Sequence, residues 1–410
     1  MKKGLCLFGK IFISVLVLFL CGMVLSAYIT LEPPASVVTT LFRMAYQILL
    51  KYLVGLLAVI LGVSLFVSFK KRRKMKIFSK VCLFLIGICF LGTVGQWLRL
   101  WTADSIQNAI SYESVKAGQG REKQPMKEMR DLSKELGVEQ CQIYMSSDNE
   151  TSKTCIIYMN YGGWEVQDES MGAQILSFCE KEGYSFIRFA KARGEGKYID
   201  SMAIEASEAL EQLIKREQFE HVFLCGGSAG GHMALLCGFG TEQVTPSLPM
   251  KNLPIDGVIC LYPCVDPEAS YDYYVGTDTK KKTLLDHMGD KLFVSLYGVG
   301  EGTLASSTQA IDEKVFGLRQ EVPSLYQLTA IKNIIGNKNL PVLMVQGEAD
   351  TMMYVQSVRD FYDVLQKEGN KSVYLELPGT DHVFDLMPTA AWDRCEREMT
   401  GFVRHILAEK

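Results

Sequence analysis

Apolar residues crowd the first hundred positions of the chain and then give way to a regular alternation. Residues 11–29 are almost wholly apolar, 52–69 carry no charge, and 77–97 are broken only by Lys80. Each stretch approaches the roughly 20 apolar residues that cross a bilayer as a helix, so three transmembrane helices are predicted. The first has an alternative as a secretory signal, with Leu25-Ser26-Ala27 as a fair cleavage site. Its apolar run is longer than the roughly 7–15 residues of a signal's core, which favours a retained helix. From residue 140 short apolar runs alternate with amphipathic stretches. Strands are expected at 142–145, 155–159, 184–190, 222–225, 257–262, 342–346 and 372–377, and helices at 169–182, 198–217, 355–368 and 392–408. Such alternation implies an α/β fold, a doubly wound, mostly parallel sheet with helices on both faces.

Two segments interrupt this rhythm. Residues 102–138 are polar, with a helix-like stretch at 127–136, and read as a linker or N-terminal flap. Residues 266–328 hold short helical pieces and the run Lys280-Lys281-Lys282. An excursion of that length predicts a cap over the sheet's C-terminal edge, where doubly wound folds bind ligands. The expected division is a membrane region at 1–101, the linker at 102–138, and an α/β domain at 139–410 with its cap.

Charge sharpens the division. The formal balance of -3 conceals 13 basic residues and one acidic residue, Glu32, within 1–101, leaving 30 basic against 45 acidic residues, or -15, beyond it. An acidic domain lacks the basic face that phosphate contact requires, which argues against a nucleic-acid partner. The cluster Lys70-Lys71-Arg72-Arg73-Lys74-Met75-Lys76 joins the second and third apolar stretches. Basic loops stay cytoplasmic, so three spans place everything after Trp101 on the extracytoplasmic side of a cell membrane. Trp97 and Trp101 suit the interface. Eight of the 12 cysteines follow residue 101. Cys155, Cys225 and Cys260 fall in strand-like runs and read as buried thiols, while Cys260 and Cys264 are the first pair to check for a disulfide. No C-x-x-C or His/Cys cluster suggests a metal, and no cofactor is expected.

The chemistry begins at Gly226-Gly227-Ser228-Ala229-Gly230, which follows the apolar run 222–225 and precedes a helix-like Met233-Ala234-Leu235-Leu236. A G-x-S-x-G pentad between strand and helix is a nucleophile elbow, with the serine hydroxyl held clear of the backbone. Serine needs a base, and only five histidines are available. His221 opens the elbow strand at its far end, His232 sits on the following helix as packing, His287 falls in the cap and His405 in the last helix. His382 follows the last strand on the elbow's edge of the sheet and is the expected base. The strand at 342–346 ends in Gly347-Glu348-Ala349-Asp350, so Asp350 is the expected orienting acid and Glu348 its rival. Asp381 and Asp385 read as a turn residue and a surface or supporting charge. After the strand 155–159 comes Asn160-Tyr161-Gly162-Gly163-Trp164, whose glycine N–H groups, with that of Ala229, are the expected oxyanion donors.

These four segments, in this order, resemble the hormone-sensitive-lipase-like and acetyl-esterase-like carboxylesterases of the α/β-hydrolase fold over residues 140–405. Asn160 and Tyr161 stand where that group has His and Gly, and Gly227 stands where it has an acidic residue before the serine. The resemblance implies a serine carboxylesterase acting on short acyl groups, such as acetyl esters on carbohydrate, through an acyl-enzyme; the three apolar spans lie outside the resemblance and make the expected enzyme membrane-anchored. A peptidase of the prolyl-oligopeptidase type, or an inactive binding module on a membrane anchor, are the alternatives.

Overall fold

Six parallel strands form the centre of the molecule in the computed structural model, which describes residues 2–28, 37–71, 77–113, 126–147, 153–240, 248–275, 304–320, 324–335 and 339–410. The N-terminal helices are α1 (Lys2–Ser26), α2 (Val37–Lys71) and α3 (Ile77–Thr102). After a short β1 (Ile106–Asn108) come β2 (Met126–Asp131), α4 (Ser133–Leu136), β3 (Gln140–Ser146) and β4 (Thr154–Met159). A hairpin of β5 (Tyr161–Gly162) and β6 (Glu165–Val166) leads to α5 (Ala173–Glu182), β7 (Ser185–Ala190), α6 (Ile199–Glu217), β8 (His221–Gly227), α7 (Ala229–Phe239) and β9 (Gly257–Leu261). The insertion holds α8 (Pro267–Val275), α9 (Leu304–Phe316) and α10 (Leu325–Leu328). It is followed by β10 (Val342–Gly347), α11 (Val355–Lys367), β11 (Ser372–Leu377) and α12 (Ala390–Ala408).

The main sheet runs β1-β11-β10-β9-β8-β4-β7-β3-β2. Strands β11 to β7 in that order are parallel, and β1, β3 and β2 are antiparallel additions at the two edges. Central strands bury both faces, which is why β4, β7, β9 and β10 are buried along their whole length and read as mostly apolar runs, with Arg188 in β7 and Gln346 in β10 among the exceptions. Helices cover the two faces and close two cores, one around Leu224, Leu235 and Met344, the other around Phe223, Leu343, Trp392 and Phe402.

The helix expected at 127–136 is a correction. Residues Met126–Asp131 form edge strand β2, and only Ser133–Leu136 is helical. Lys, Glu, Met and Arg favour a helix intrinsically, but pairing with the open edge of β3 overrides that preference. The sheet therefore begins within the segment expected to be a linker. The basic run 280–282 and His287 lie outside the described residues, as do 72–76 of the basic cluster.

Two described helical segments, Phe42–Ser64 and Ile77–Thr102, are long and apolar enough to cross a membrane; the first apolar helix is described as the shorter Lys10–Ser26. Phe42–Ser64 starts ten residues before the stretch read from the sequence at 52–69. Two charged residues in that added part are paired with the α/β domain: Arg43 with Asp381 at 3.1 Å and Lys51 with Asp393 at 2.6 Å. Helix α12 packs on α2 and α3, so the apolar core around Trp392 continues into Tyr46, Leu50 and Leu53. The opposite faces leave large apolar side chains uncovered, Tyr52 at 71% and Ile77 at 81% exposure among them.

Candidate active site

The elbow is built by backbone crowding. Ser228, between β8 and α7, has φ 53° and ψ -123°, a strained conformation for a residue with a side chain. Its N–H donates to Leu261 O (2.9 Å) and its carbonyl accepts from His232 N (3.1 Å), which locks the turn. A Cβ at Gly226 would collide with the backbone of Gly230, and one at Gly230 with the carbonyl of Met159. Strand, turn and helix can approach so closely only with glycine at both places. The N–H of Ala229 opens α7 and belongs to the first turn, whose donors have no partner inside the helix.

Gly227 has a specific neighbour. A Cβ there would lie 2.6–2.9 Å from the ring of Tyr262, which fills the space that the acidic residue of similar elbows would need. Tyr262 packs edge-on against His382 with ring centres 4.4 Å apart, and its hydroxyl donates to Asp385. Asp385 is therefore buried and partnered, which fits the supporting charge and not the surface charge of its two readings.

The glycine loop is equally fixed. Gly163 (φ 54°) and Trp164 (φ 60°) make the turn of the β5–β6 hairpin. Asn160, fully buried, donates from Nδ2 to Gln140 Oε1 (2.7 Å), Gln167 O (2.8 Å) and Asp168 O (3.2 Å). The amide thus braces the loop's base. Trp164 Nε1 donates to His232 Nδ1 (3.1 Å), and His232 Nε2 donates to Thr329 O (2.8 Å) beyond the cap helices. Burial pushes the His232 pKa down to about 4, so the ring is neutral and serves as a fixed bridge. His232 is packing, as read from the sequence, and also joins the glycine loop to the cap.

Asp350 and His382 meet. His382 Nδ1 lies 2.9 Å from Asp350 Oδ2, with the Asp350 side chain wholly buried and that of His382 4% exposed. The same oxygen accepts from Gln346 Nε2 (2.9 Å), and Oδ1 accepts the N–H groups of Met352 and Met353, both at 2.8 Å. Four donors thus fix the position of one carboxylate. Glu348, the rival, turns away to Arg99 (2.7 Å) and to Gly379 N (2.7 Å). Among the described residues the only hydrogen bond of the His382 ring is the one it donates to Asp350, and none joins it to Ser228 Oγ. Such bonds often tighten only when substrate is bound. His221 lies at the far end of β8 beside Asp256 (3.5 Å), and His405 pairs with Glu409 (3.3 Å).

Ser228, Gly163, Trp164, Ile311, Met352 and Met353 line a cavity of about 120 Å³. Asp312 and Cys264 also face it. Asp312 is buried, and burial, with Glu313 nearby, pushes its carboxyl up to about 8. Cys260 and Cys264 are both free thiols. Among the described residues no group of three or more His, Cys, Asp or Glu side chains could hold a metal ion. Sequence reasoning missed Gln346, Tyr262, Asp312 and the bracing amide of Asn160. Gln346, at the end of β10 four residues before Asp350, had a readable position; the others depend on contacts distant in sequence.

A truncated carbohydrate esterase from gut microbiota superimposes with a TM-score of 0.49 at 15% identity, covering 70% of this chain and 100% of that one. The Francisella virulence factor BioJ gives 0.48 at 15% identity, covering 68% and 86%. The acetyl ester-xyloside bifunctional hydrolase of Caldicellulosiruptor lactoaceticus gives 0.46 at 16%, covering 68% and 98%. Among curated proteins, the non-reducing polyketide synthase Preu6 of Preussia isomera is 24% identical over 197 residues, 40% of this chain. The matched region is 9% of that synthase's length. The family described as BD-FAE matches residues 141–365, which include Ser228 and Asp350 and stop short of His382. That match spans more than half of the chain, and the protein belongs to the BD-FAE family, an α/β-hydrolase-like family.

Proposed function

We propose that the protein is a membrane-anchored serine carboxylesterase with Ser228 as nucleophile, His382 as base and Asp350 as its orienting acid. The single observation that carries this reading is the buried 2.9 Å bond between His382 and Asp350, on the sheet edge where Ser228 stands at its strained turn. In the reading, Ser228 Oγ attacks the acyl carbonyl and passes its proton to His382, whose charged form Asp350 stabilises. The N–H groups of Gly162, Gly163 and Ala229 receive the oxyanion. The tetrahedral species expels the alcohol, which takes the proton from His382. Water activated by the same histidine then releases the acid and restores the serine.

A cavity of about 120 Å³ favours short acyl groups, since an apolar cavity of roughly 150 Å³ is filled by one benzene molecule. Kinship to the hormone-sensitive-lipase-like group and an acetyl-carbohydrate substrate rest on the four sequence motifs. The test is a series of p-nitrophenyl esters with the full-length protein in detergent. Acetate and butyrate should exceed octanoate by about tenfold or more in kcat/KM, as loss of fit for excess methylenes requires. Absence of hydrolysis at every chain length removes the proposal.

The anchor would be the exposed apolar faces of α2 and α3, with the basic 70–76 cluster cytoplasmic and the α/β domain outside. Protection of that domain from protease added to intact cells would contradict this orientation.

Asp312 supplies a pH-dependent prediction. Its folded pKa of about 8 lies above the ordinary 3.8, so between those values the folded state keeps a proton that the unfolded chain releases. Stability contributed by this site therefore falls as pH rises from about 4 to about 8. Asp312→Asn, which cannot ionise, should raise the melting temperature at pH 8 and change it little at pH 4. Equal shifts at both pH values would mean that the carboxyl has a compensating partner.

A further inference from the structure

The three N-terminal helices lie outside the region matched by the family, yet each touches the loops that carry Asp350 and His382. From α2, Arg43 is buried, its side chain 1% exposed. Its Nη1 donates to Asp381 Oδ2 (3.1 Å) and to Ala349 O (2.6 Å), and its Nε donates to Ser26 O at the end of α1 (3.0 Å). From α3, Gln96 Nε2 donates to Pro378 O (2.5 Å), while Arg99 pairs with Glu348, whose carboxylate also receives the N–H of Gly379. From the end of α1, the carbonyl of Ala27 lies so close to Gly379 that a Cβ there would come within 2.5 Å.

Asp381 passes these contacts to the site. Its Oδ1 accepts the N–H and hydroxyl of Thr351 and the N–H of His382, each at 2.8 Å. One carboxylate thus ties the residue after Asp350 to His382 itself. Arg43 is the cation beside it. Burial drives Asp381 toward its neutral form and Arg43 opposes that drift. A buried carboxylate stripped of its cation either protonates or draws in water, and each change loosens what it was holding.

We propose that Arg43 is a positioning residue for the His382–Asp350 pair, acting through Asp381, and that the N-terminal helices are thereby a working part of the active site and not only an anchor. This rests on the esterase reading above. Displacement of a catalytic group by about 1 Å can cost about 10²-fold in rate, which sets the scale of the effect.

The test uses full-length protein in one detergent, with Ser228→Ala as the blank for serine-dependent turnover. Arg43→Met should lose about 10- to 100-fold in kcat on p-nitrophenyl acetate with KM within about twofold, because Arg43 is absent from the cavity wall. Arg43→Lys should recover part of the loss, since an ammonium in place of Nη1 can meet Asp381 and Ala349 O but has no counterpart of Nε to hold Ser26 O. Lys51→Met removes the ion pair to Asp393 on the same docking surface and should leave kcat within about twofold. Unchanged kcat in Arg43→Met, or equal losses in Arg43→Met and Lys51→Met, would overturn the positioning role. If Arg43→Met does not fold, Arg43→Lys decides: a fall in kcat at constant KM supports the proposal and an unchanged kcat refutes it. Wild-type turnover equal to the Ser228→Ala blank marks instead a failure of the esterase reading, and the two failures are thereby told apart.

Discussion

Ser228→Ala is expected to lower kcat/KM for p-nitrophenyl acetate by at least about 10³-fold while leaving the protein as stable as the parent. Loss of a nucleophile removes the covalent route, and what survives is the smaller acceleration from oxyanion donors and binding. The structure predicts that this variant folds. Alanine has the same Cβ that serine already accommodates at φ 53°, and the turn is held by the backbone bonds to Leu261 and His232, which do not involve the hydroxyl. Melting should shift by no more than the roughly 0.5 kcal/mol typical of a neutral substitution. Titration with a fluorophosphonate gives an independent readout: the parent should be labelled and the variant should not. Retained activity in a folded, unlabelled variant would place the chemistry elsewhere.

Asp350→Asn should follow with a loss of about 10³- to 10⁴-fold in kcat, the scale seen when a triad acid becomes an amide and the imidazole adopts the wrong tautomer. Both oxygens of Asp350 accept hydrogen bonds, from Gln346 and His382 on one side and from Met352 and Met353 N–H groups on the other. An amide must turn its NH₂ toward one of these pairs of donors. It therefore leaves a buried donor unmatched, at a cost of about 1–3 kcal/mol in stability, or inverts the histidine. Glu348→Gln on the same loop is the comparison. Glu348 faces Arg99 and Gly379, so its loss should cost less than about tenfold. A reversed order of the two variants would transfer the acid's role to Glu348.

Much of this was legible because it is local. The strands at 155–159, 222–225 and 342–346 are short, mostly apolar runs, and strands buried on both faces read that way. The glycines around Ser228 were readable as an elbow because three adjacent elements must touch there, and Gly226 and Gly230 do touch the backbone they were expected to meet. His382 and Asp350 followed from chain order along one sheet edge. The edge strand β2 was misread for the converse reason: its residues have helical preference, and only the open edge of β3 makes them extended.

Sequence alone was enough for the class of fold, the elbow at Ser228, and the placing of Asp350 and His382 on loops at one sheet edge, because spacing and strand order carry that information. What only the tertiary structure decided was the surroundings: Tyr262 occupying the space above Gly227, Asp312 facing the cavity, and Gln346 sharing an oxygen with His382. It also changed the meaning of two charges. Arg43 and Lys51 precede the second apolar stretch in the sequence with no sign of a partner, and in the folded chain they reach residues 338 and 342 positions away. No local pattern encodes such a pairing. It exists because burying a charge is costly unless an opposite charge is buried with it, and that partner is known only once the chain has closed on itself.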